Sequence, residues 1–320
     1  MSETRPAASG TIVARDLQLT YRDGTQAVRG VNLDIPHGAI FGFLGPNGAG
    51  KSTTVRMLAT LLQPSGGSAH VSGIDVVSNP GGVRQVIGVA LQEAGLNGMS
   101  TGFELLEMHA RLQGIRRGAA AQRANELLEL VGLDDARDRR AIRYSGGMKR
   151  RLDLAIALVH KPAVLFLDEP TTGLDPASRF VIWDQVRKLR EDEGTTVFLT
   201  TQYLDEADQL ADTVAIIKDG LIAAEGTPAH LKLHVASDTV HITIDEHASD
   251  MEAIVGAVAA RSDVDHAEYD EAASQLIVRC ADGEAMVPSL LAMIDVTATR
   301  VSVSAPTLDD VFMAVTEGAS

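Results

Sequence analysis

Gly45-Pro46-Asn47-Gly48-Ala49-Gly50-Lys51-Ser52 follows the apolar run Ile40-Phe41-Gly42-Phe43-Leu44 and leads into a helical pattern from Lys51 to about Leu62. The spacing is G-x-x-x-x-G-K-S. Glycines at the loop remove Cβ atoms, so successive backbone N–H groups can turn inward onto phosphate oxygens. The helix that follows points its positive dipole end at the same anion. Lys51 is expected to reach the terminal phosphates and Ser52 to ligate a divalent cation, with Thr53 in the same phosphate-binding turn. A glycine-rich turn that ended in lysine by chance would need neither flank. Here a five-residue apolar strand precedes and a helix follows, as in a sheet covered on both faces.

A second stretch completes the chemistry. Val164-Leu165-Phe166-Leu167-Asp168-Glu169 reads as a buried strand that delivers two carboxylates at its carboxyl end, where open α/β sheets hold ligands. Asp168 is expected to hold Mg²⁺ through water, and Glu169 to orient and deprotonate an attacking water. Taken alone, Glu169 also reads as a cap on the next helix. Strands are predicted near Ile12–Tyr21, Ala27–Ile35, Ile40–Leu44, Ala163–Leu167, Thr196–Thr200 and Val214–Lys218, with a helix at Pro176–Glu191. Strand–helix–strand alternation of this kind means a largely parallel α/β sheet. Residues from about 95 to 160 carry apolar positions at helical spacing and read as a helical insertion.

Tyr144-Ser145-Gly146-Gly147-Met148-Lys149, leading into a predicted helix Lys149–Leu158, resembles the signature sequence of ABC nucleotide-binding domains. Read without the resemblance, it is an N-cap serine followed by glycines, which is also an anion-binding helix start. Other landmarks of that family appear in order. Tyr21 sits where the family keeps an aromatic against adenine, and Gln92 resembles the glutamine that senses Mg²⁺ and couples to the membrane partner. Asp175, in Gly173-Leu174-Asp175, resembles the loop that passes between two sites. Singly, these read as a packed strand aromatic, a solvated polar residue and a helix N-cap. Two positions depart from the family pattern: Met148 stands where glutamine is usual, and Gln202 where histidine is usual. Glutamine can still donate to a phosphate but cannot become a cation.

The resemblance spans about residues 11–230. It implies a P-loop NTPase fold of the ABC type with a helical subdomain, and ATP with Mg²⁺ as ligands. It also implies a head-to-tail homodimer in which Ser145, Gly146 and Gly147 cap the other subunit's nucleotide. Together with Thr200-Thr201-Gln202-Tyr203 and Pro306-Thr307-Leu308-Asp309-Asp310, the signature looks like the daunorubicin/doxorubicin-resistance type of subunit. That likeness implies export of a drug, antibiotic or lipid-like compound through a separate polytopic permease, at the cytoplasmic face of the membrane. A soluble ABC ATPase without a transport role, and an importer ATPase with a regulatory addition, are the alternatives. The chain holds a single phosphate-binding loop and no coiled-coil insertion of the kind the soluble type carries.

Charge divides the chain unevenly. Of the net −15, residues from Val235 onward contribute −13 through 16 acidic and 3 basic residues. Such a step predicts a domain boundary near Leu233 and an acidic accessory domain over 234–320. The pattern there, βαββαβ plus one helix, is ferredoxin-like α+β. Its last helix presents Leu308, Val311, Phe312 and Val315 as an apolar stripe, to be buried on its own sheet or on a partner. The acidic balance argues against nucleic-acid binding. Cys280, the single cysteine, lies in an apolar stretch and reads as a buried small hydrophobe. Residues 1–10 read as a polar, disordered tail without the apolar centre of a secretory signal. The arginines and lysine at 137, 139, 140, 143, 149, 150 and 151 read as a solvated face paired with local acids, or as a face toward a partner's nucleotide or the permease, and Phe180 and Trp183 as packing residues.

Overall fold

In the computed structural model, the structure describes residues 11–91, 95–235, 237–244, 251–271, 273–294 and 298–317. The expected tail at 1–10 and the expected sensor Gln92 lie outside them. The chain divides into two compact units between Thr227 and Pro228. That point precedes Leu233, because the short helix before the charge step packs within the carboxy-terminal unit.

The amino-terminal unit begins with β1 (Ile12–Thr20), β2 (Gln26–Ile35), β3 (Ile40–Leu44), α1 (Lys51–Leu58), β4 (Gly66–Val71), β5 (Ile74–Asp75), α2 (Pro80–Val86) and β6 (Ile87–Ala90). The helical stretch holds α3 (Gly102–Leu112), α4 (Arg117–Leu130) and α5 (Gly146–Ala157). It continues with β7 (Val164–Asp168), α6 (Pro176–Glu193), β8 (Thr196–Thr201), α7 (Leu204–Leu210), β9 (Thr213–Lys218) and β10 (Leu221–Gly226).

The central sheet runs β10-β9-β3-β8-β7-β6, parallel except for the β9–β10 hairpin. Every residue of β3, β7 and β8 is buried, so alternate side chains serve opposite faces. Phe41, Phe43, Phe166 and Phe198 share one face, with ring centroids 5.4–5.7 Å apart around Phe198. They join the core under α1 and the antiparallel sheet β2-β1-β4-β5. Leu165, Leu167, Val197 and Leu199 face the other way, into a second core that includes the helical subdomain. α3 is started by a reciprocal cap: Thr101 Oγ1 accepts from the Glu104 amide and Glu104 from the Thr101 amide.

Two helix boundaries differ from expectation. α1 ends at Leu58 rather than near Leu62, because Thr60 adopts φ +61° and turns the chain out of the helix. α5 starts at Gly146 rather than Lys149. Ser145 is its N-cap, accepting from the Met148 amide at 3.2 Å, so both signature glycines lie inside the first turn.

The carboxy-terminal unit comprises α8 (Pro228–Val235), β11 (Asp238–Ile244), α9 (Met251–Ala259), β12 (Val264–Asp270), β13 (Gln275–Cys280), α10 (Gly283–Met293), β14 (Ala298–Ser304) and α11 (Leu308–Glu317). Its sheet order is β12-β13-β11-β14, antiparallel throughout, which is the ferredoxin-like arrangement of two interleaved split βαβ units. Val240, Ile242, Ile244, Leu276, Val278 and Cys280 bury one face of the sheet with α9 and α10. Leu308 and Val311 of the final helix are buried, Phe312 is half-buried, and α11 packs chiefly against α8. The stripe is thus met by a neighbouring helix, which the sequence reading did not anticipate.

Candidate functional site

The phosphate-binding loop joins β3 to α1. Gly50, the N-cap of α1, sits at φ +109°, where a Cβ would run into the carbonyl of Ala27. A glycine cap has no side chain to take up the first-turn N–H groups, which suits an anion site. Asn47, Gly48, Gly50, Lys51, Ser52 and Thr53 line a cleft of 340 Å³, and Glu169, Thr172 and Gln202 close it from across the sheet. Gly45 and Ala49 are buried within the loop, and Pro46 is exposed on it. The Lys51 ammonium donates to the carbonyls of Gly45 at 2.7 Å and Pro46 at 3.2 Å. Ala49 is buried and its carbonyl accepts from the Gly220 amide at 3.1 Å.

The carboxylates come from the neighbouring strand end. Lys51 Nζ lies 3.7 Å from Glu169 Oε1, with 4% and 6% of the two side chains exposed. Burial pulls the Lys51 pKa down, while the charges of Glu169 and Asp168 pull it back up. Ser52 Oγ donates to Asp168 Oδ1 at 3.0 Å, and Thr200 Oγ1 to the same oxygen at 2.6 Å. The other oxygen, Asp168 Oδ2, is buried and has no hydrogen-bond partner among the described residues. A buried carboxylate oxygen left open beside a serine hydroxyl is a donor set suited to a hard divalent cation.

Glu169 follows the strand in a left-handed conformation at φ +50°, a strained setting for a non-glycine residue. Its amide is held by both the carbonyl and the hydroxyl of Thr200, at 3.0 and 3.1 Å. Thr172 Oγ1 donates to Glu169 Oε2 at 3.2 Å. Neither threonine was predicted as a site residue. Thr200 had a signal, being a hydroxyl at the end of the buried run Val197-Phe198-Leu199, paired in register with Asp168. Gln202 follows β8, is exposed, and lines the cleft. Behind it, the indole N–H of Trp183 donates to buried Glu206 at 3.0 Å and ties α6 to α7, so Trp183 does more than pack. Burial pushes the Glu206 carboxyl up. Phe180 is 61% exposed with its ring edge against Trp183, contrary to a packing role.

Tyr21 emerges just past β1, 38% exposed, and its hydroxyl meets Thr53 Oγ1 at 3.1 Å. It stands beside the phosphate-binding turn with its ring accessible. The signature is elsewhere: Ser145 and Gly146 are exposed, Gly147 is half-buried, and none of the three lines the cleft. Gly147 lies against Ser178, whose amide and hydroxyl both donate to Asp175, the N-cap of α6, at 2.9 and 2.7 Å. These bonds hold the Asp175 carboxyl below the usual range. Signature and Asp175 therefore form one exposed edge, apart from the cleft. Among the basic residues around it, Arg150 departs from a solvated face: its side chain is only 11% exposed.

The family model described as ABC transporter matches residues 28–172. The chain is 55% identical over 231 residues to the daunorubicin/doxorubicin resistance ATP-binding protein of Streptomyces peucetius, covering 72% of this chain and 70% of that protein. It is 41% identical over 310 residues to the doxorubicin resistance ATP-binding protein of Mycobacterium tuberculosis, covering 95% of this chain and 93% of that protein. An ATP-binding cassette solved as a dimer in a post-hydrolysis state with ADP and Pi superposes with a TM-score of 0.63 at 26% identity, over 68% of this chain and 98% of that one.

Proposed function

This chain belongs to the ATP-binding subunits of ABC transporters and hydrolyses ATP, and from that premise we propose that it powers export of a drug or antibiotic through a separate membrane-spanning permease. Its relatives are named for resistance to daunorubicin and doxorubicin. Among the described residues no helix is long and apolar enough to cross a membrane; that the permease is a second chain is read from relatives named as ATP-binding proteins. The subunit then works at the cytoplasmic face, docked on that partner.

The geometry supports a role for each cleft residue. Lys51 and the amides of the loop bind the phosphates, with Tyr21 against the base. Ser52 and Asp168 fit a Mg²⁺ ion, which when bound would neutralise phosphate charge, and Gln92 is proposed as its third contact. Glu169 takes the proton of the attacking water, and Gln202 supplies a neutral hydrogen bond. Ser145, Gly146, Gly147 and Asp175 face a second copy of the chain and close that copy's cleft.

The observation that carries the catalytic reading is Glu169, buried in a strained turn beside Lys51 and aimed into the cleft. Glu169→Gln keeps the shape and removes the proton acceptor. Turnover is expected to fall by about 10²–10⁴-fold, with ATP still bound. Transport is tested in vesicles holding chain and permease: ATP-driven movement of an anthracycline is expected with the native subunit and lost with Glu169→Gln. Native-rate hydrolysis by Glu169→Gln would remove Glu169 from the base role, and vesicles that hydrolyse ATP without moving drug would remove the export reading.

A further inference from the structure

Arg150 lies on α5, the helix that Ser145 caps, yet its guanidinium is turned inward and reaches two other chain segments. Its Nη2 donates to the carbonyl of Asp168 at 2.7 Å, and its Nε to the carbonyl of Pro170 at 2.9 Å. Nη1 donates to the carbonyl of Leu91, which ends the segment leading into Gln92, and lies 3.5 Å from Asp153 Oδ2. Asp168 and Pro170 flank Glu169, so one planar fork grips the backbone on both sides of the residue at φ +50°. A left-handed turn at a non-glycine residue persists only where its surroundings over-determine it. Thr200 supplies one such constraint from the sheet, and Arg150 supplies the other from the helical subdomain.

We propose that Arg150 is a positioning residue for hydrolysis: it fixes the turn that aims Glu169, and it ties that turn to the signature helix and to Leu91. The guanidinium does not line the cleft, and its effect on catalysis runs through the backbone of residues 168–170. A displacement of α5 then shifts the aim of Glu169 without any change in the contacts that bind phosphate. Lysine cannot reproduce the fork, because a single ammonium cannot span the Asp168 and Pro170 carbonyls in one plane.

The inference rests on Glu169 as the base, and the test carries Glu169→Gln as a separate arm. ATP hydrolysis and ATP affinity are measured for the full chain in the native form, Arg150→Lys, Arg150→Met and the double variant Arg150→Met/Asp153→Asn. The last removes the buried charge that Arg150→Met alone would leave unpaired, and so preserves a foldable form. We expect kcat to fall at least tenfold in Arg150→Met and in the double variant, and less in Arg150→Lys. KM and ATP affinity should stay within about twofold of native in all three. Recovery of native kcat in the double variant would reduce Arg150 to a counter-charge for Asp153 and overturn the proposal. A raised KM with native kcat would overturn it too. Full activity of Glu169→Gln would overturn the base assignment and with it the role given to Arg150, whereas an inactive Glu169→Gln beside native kcat in Arg150→Met would overturn the role of Arg150 alone.

Discussion

The cleft floor and the signature edge sit in the same unit but are built in opposite ways. Lys51, Asp168 and Glu169 are buried; Lys51 pairs with Glu169, Ser52 and Thr200 hold Asp168, and Thr172 holds Glu169 before any ligand is considered. Ser145, Gly146 and Asp175 are exposed, their bonds are local helix caps, and they line no part of the cleft. A buried, interlocked polar group is organised by its own chain, at a cost that only complete pairing offsets. An exposed helix start, capped only by its own serine and followed by two glycines, leaves its surface open to an anion from outside. The difference is the one the proposed dimer requires: one chain carries a half-site held by its own residues and a displayed half-site, each to be completed by the other copy.

Substitutions on the floor should therefore act on chemistry or binding within one chain. After Glu169→Gln, the largest effect is expected from Lys51→Ala, which removes a charge-assisted phosphate contact and leaves Glu169 without its 3.7 Å cation. ATP affinity should fall about 10–100-fold, as read by equilibrium binding of a fluorescent ATP analogue. An unchanged affinity would take Lys51 out of the phosphate contact.

Asp153 sharpens the comparison from beneath the signature helix. Burial pushes its carboxyl up from 3.8 to about 6, against the pull of Arg150. A folded value above the unfolded one means that the protonated form stabilises the fold. That contribution is complete below 3.8 and is lost as pH rises through about 6. Asp153→Asn is neutral throughout, so it should gain on the native chain by on the order of 1–3 kcal/mol between about pH 5 and about pH 8. Thermal melting of both proteins across that range checks it, and a pH-independent difference would contradict the burial argument.

Gln202 stands between the two regions, exposed yet lining the cleft, and a smaller effect is expected there. Gln202→Ala should slow kcat about tenfold or less with little change in KM, since a neutral hydrogen bond contributes roughly 1 kcal/mol. Gln202→His should keep activity. Steady-state kinetics decides, and an alanine variant with native kcat would move the switch role to another residue.

The sequence was most legible where chemistry demands a residue type at a fixed spacing. Gly45 to Ser52, Asp168 and Glu169 could be placed because phosphate binding leaves few substitutes. The strands of the carboxy-terminal sheet were legible for a different reason: one covered face imposes strict alternation, as in Val240, Ile242 and Ile244. Arg150 was not legible. Lys149, Arg150 and Arg151 are consecutive basic residues near a helix start, and a shift of a few residues in that start decides which points inward. The expected start at Lys149 was wrong because Ser145 caps α5 earlier. Thr200 and Thr172 act through single hydroxyls, for which no periodicity exists. The burial of the last helix was half legible: its own stripe is regular, but its partner α8 shows little period, with Leu231 buried and Leu233 75% exposed. The boundary at Thr227 escaped because charge changes later in the chain than packing does.

The central claim, that the displayed edge of one chain completes the finished floor of another, is tested most directly by mixing two inactive subunits. Ser145→Arg spoils the edge and leaves the floor intact; Lys51→Ala does the reverse. Each alone can form only composite centres with a lesion. Mixed, the heterodimer holds one centre with Lys51 and Ser145 both native and a second centre with both lesions. The account predicts that ATP hydrolysis, absent from either variant, returns in part on mixing. A mixture no more active than its components, together with a crosslink joining Ser145 to the phosphate-binding loop of its own chain, would contradict it.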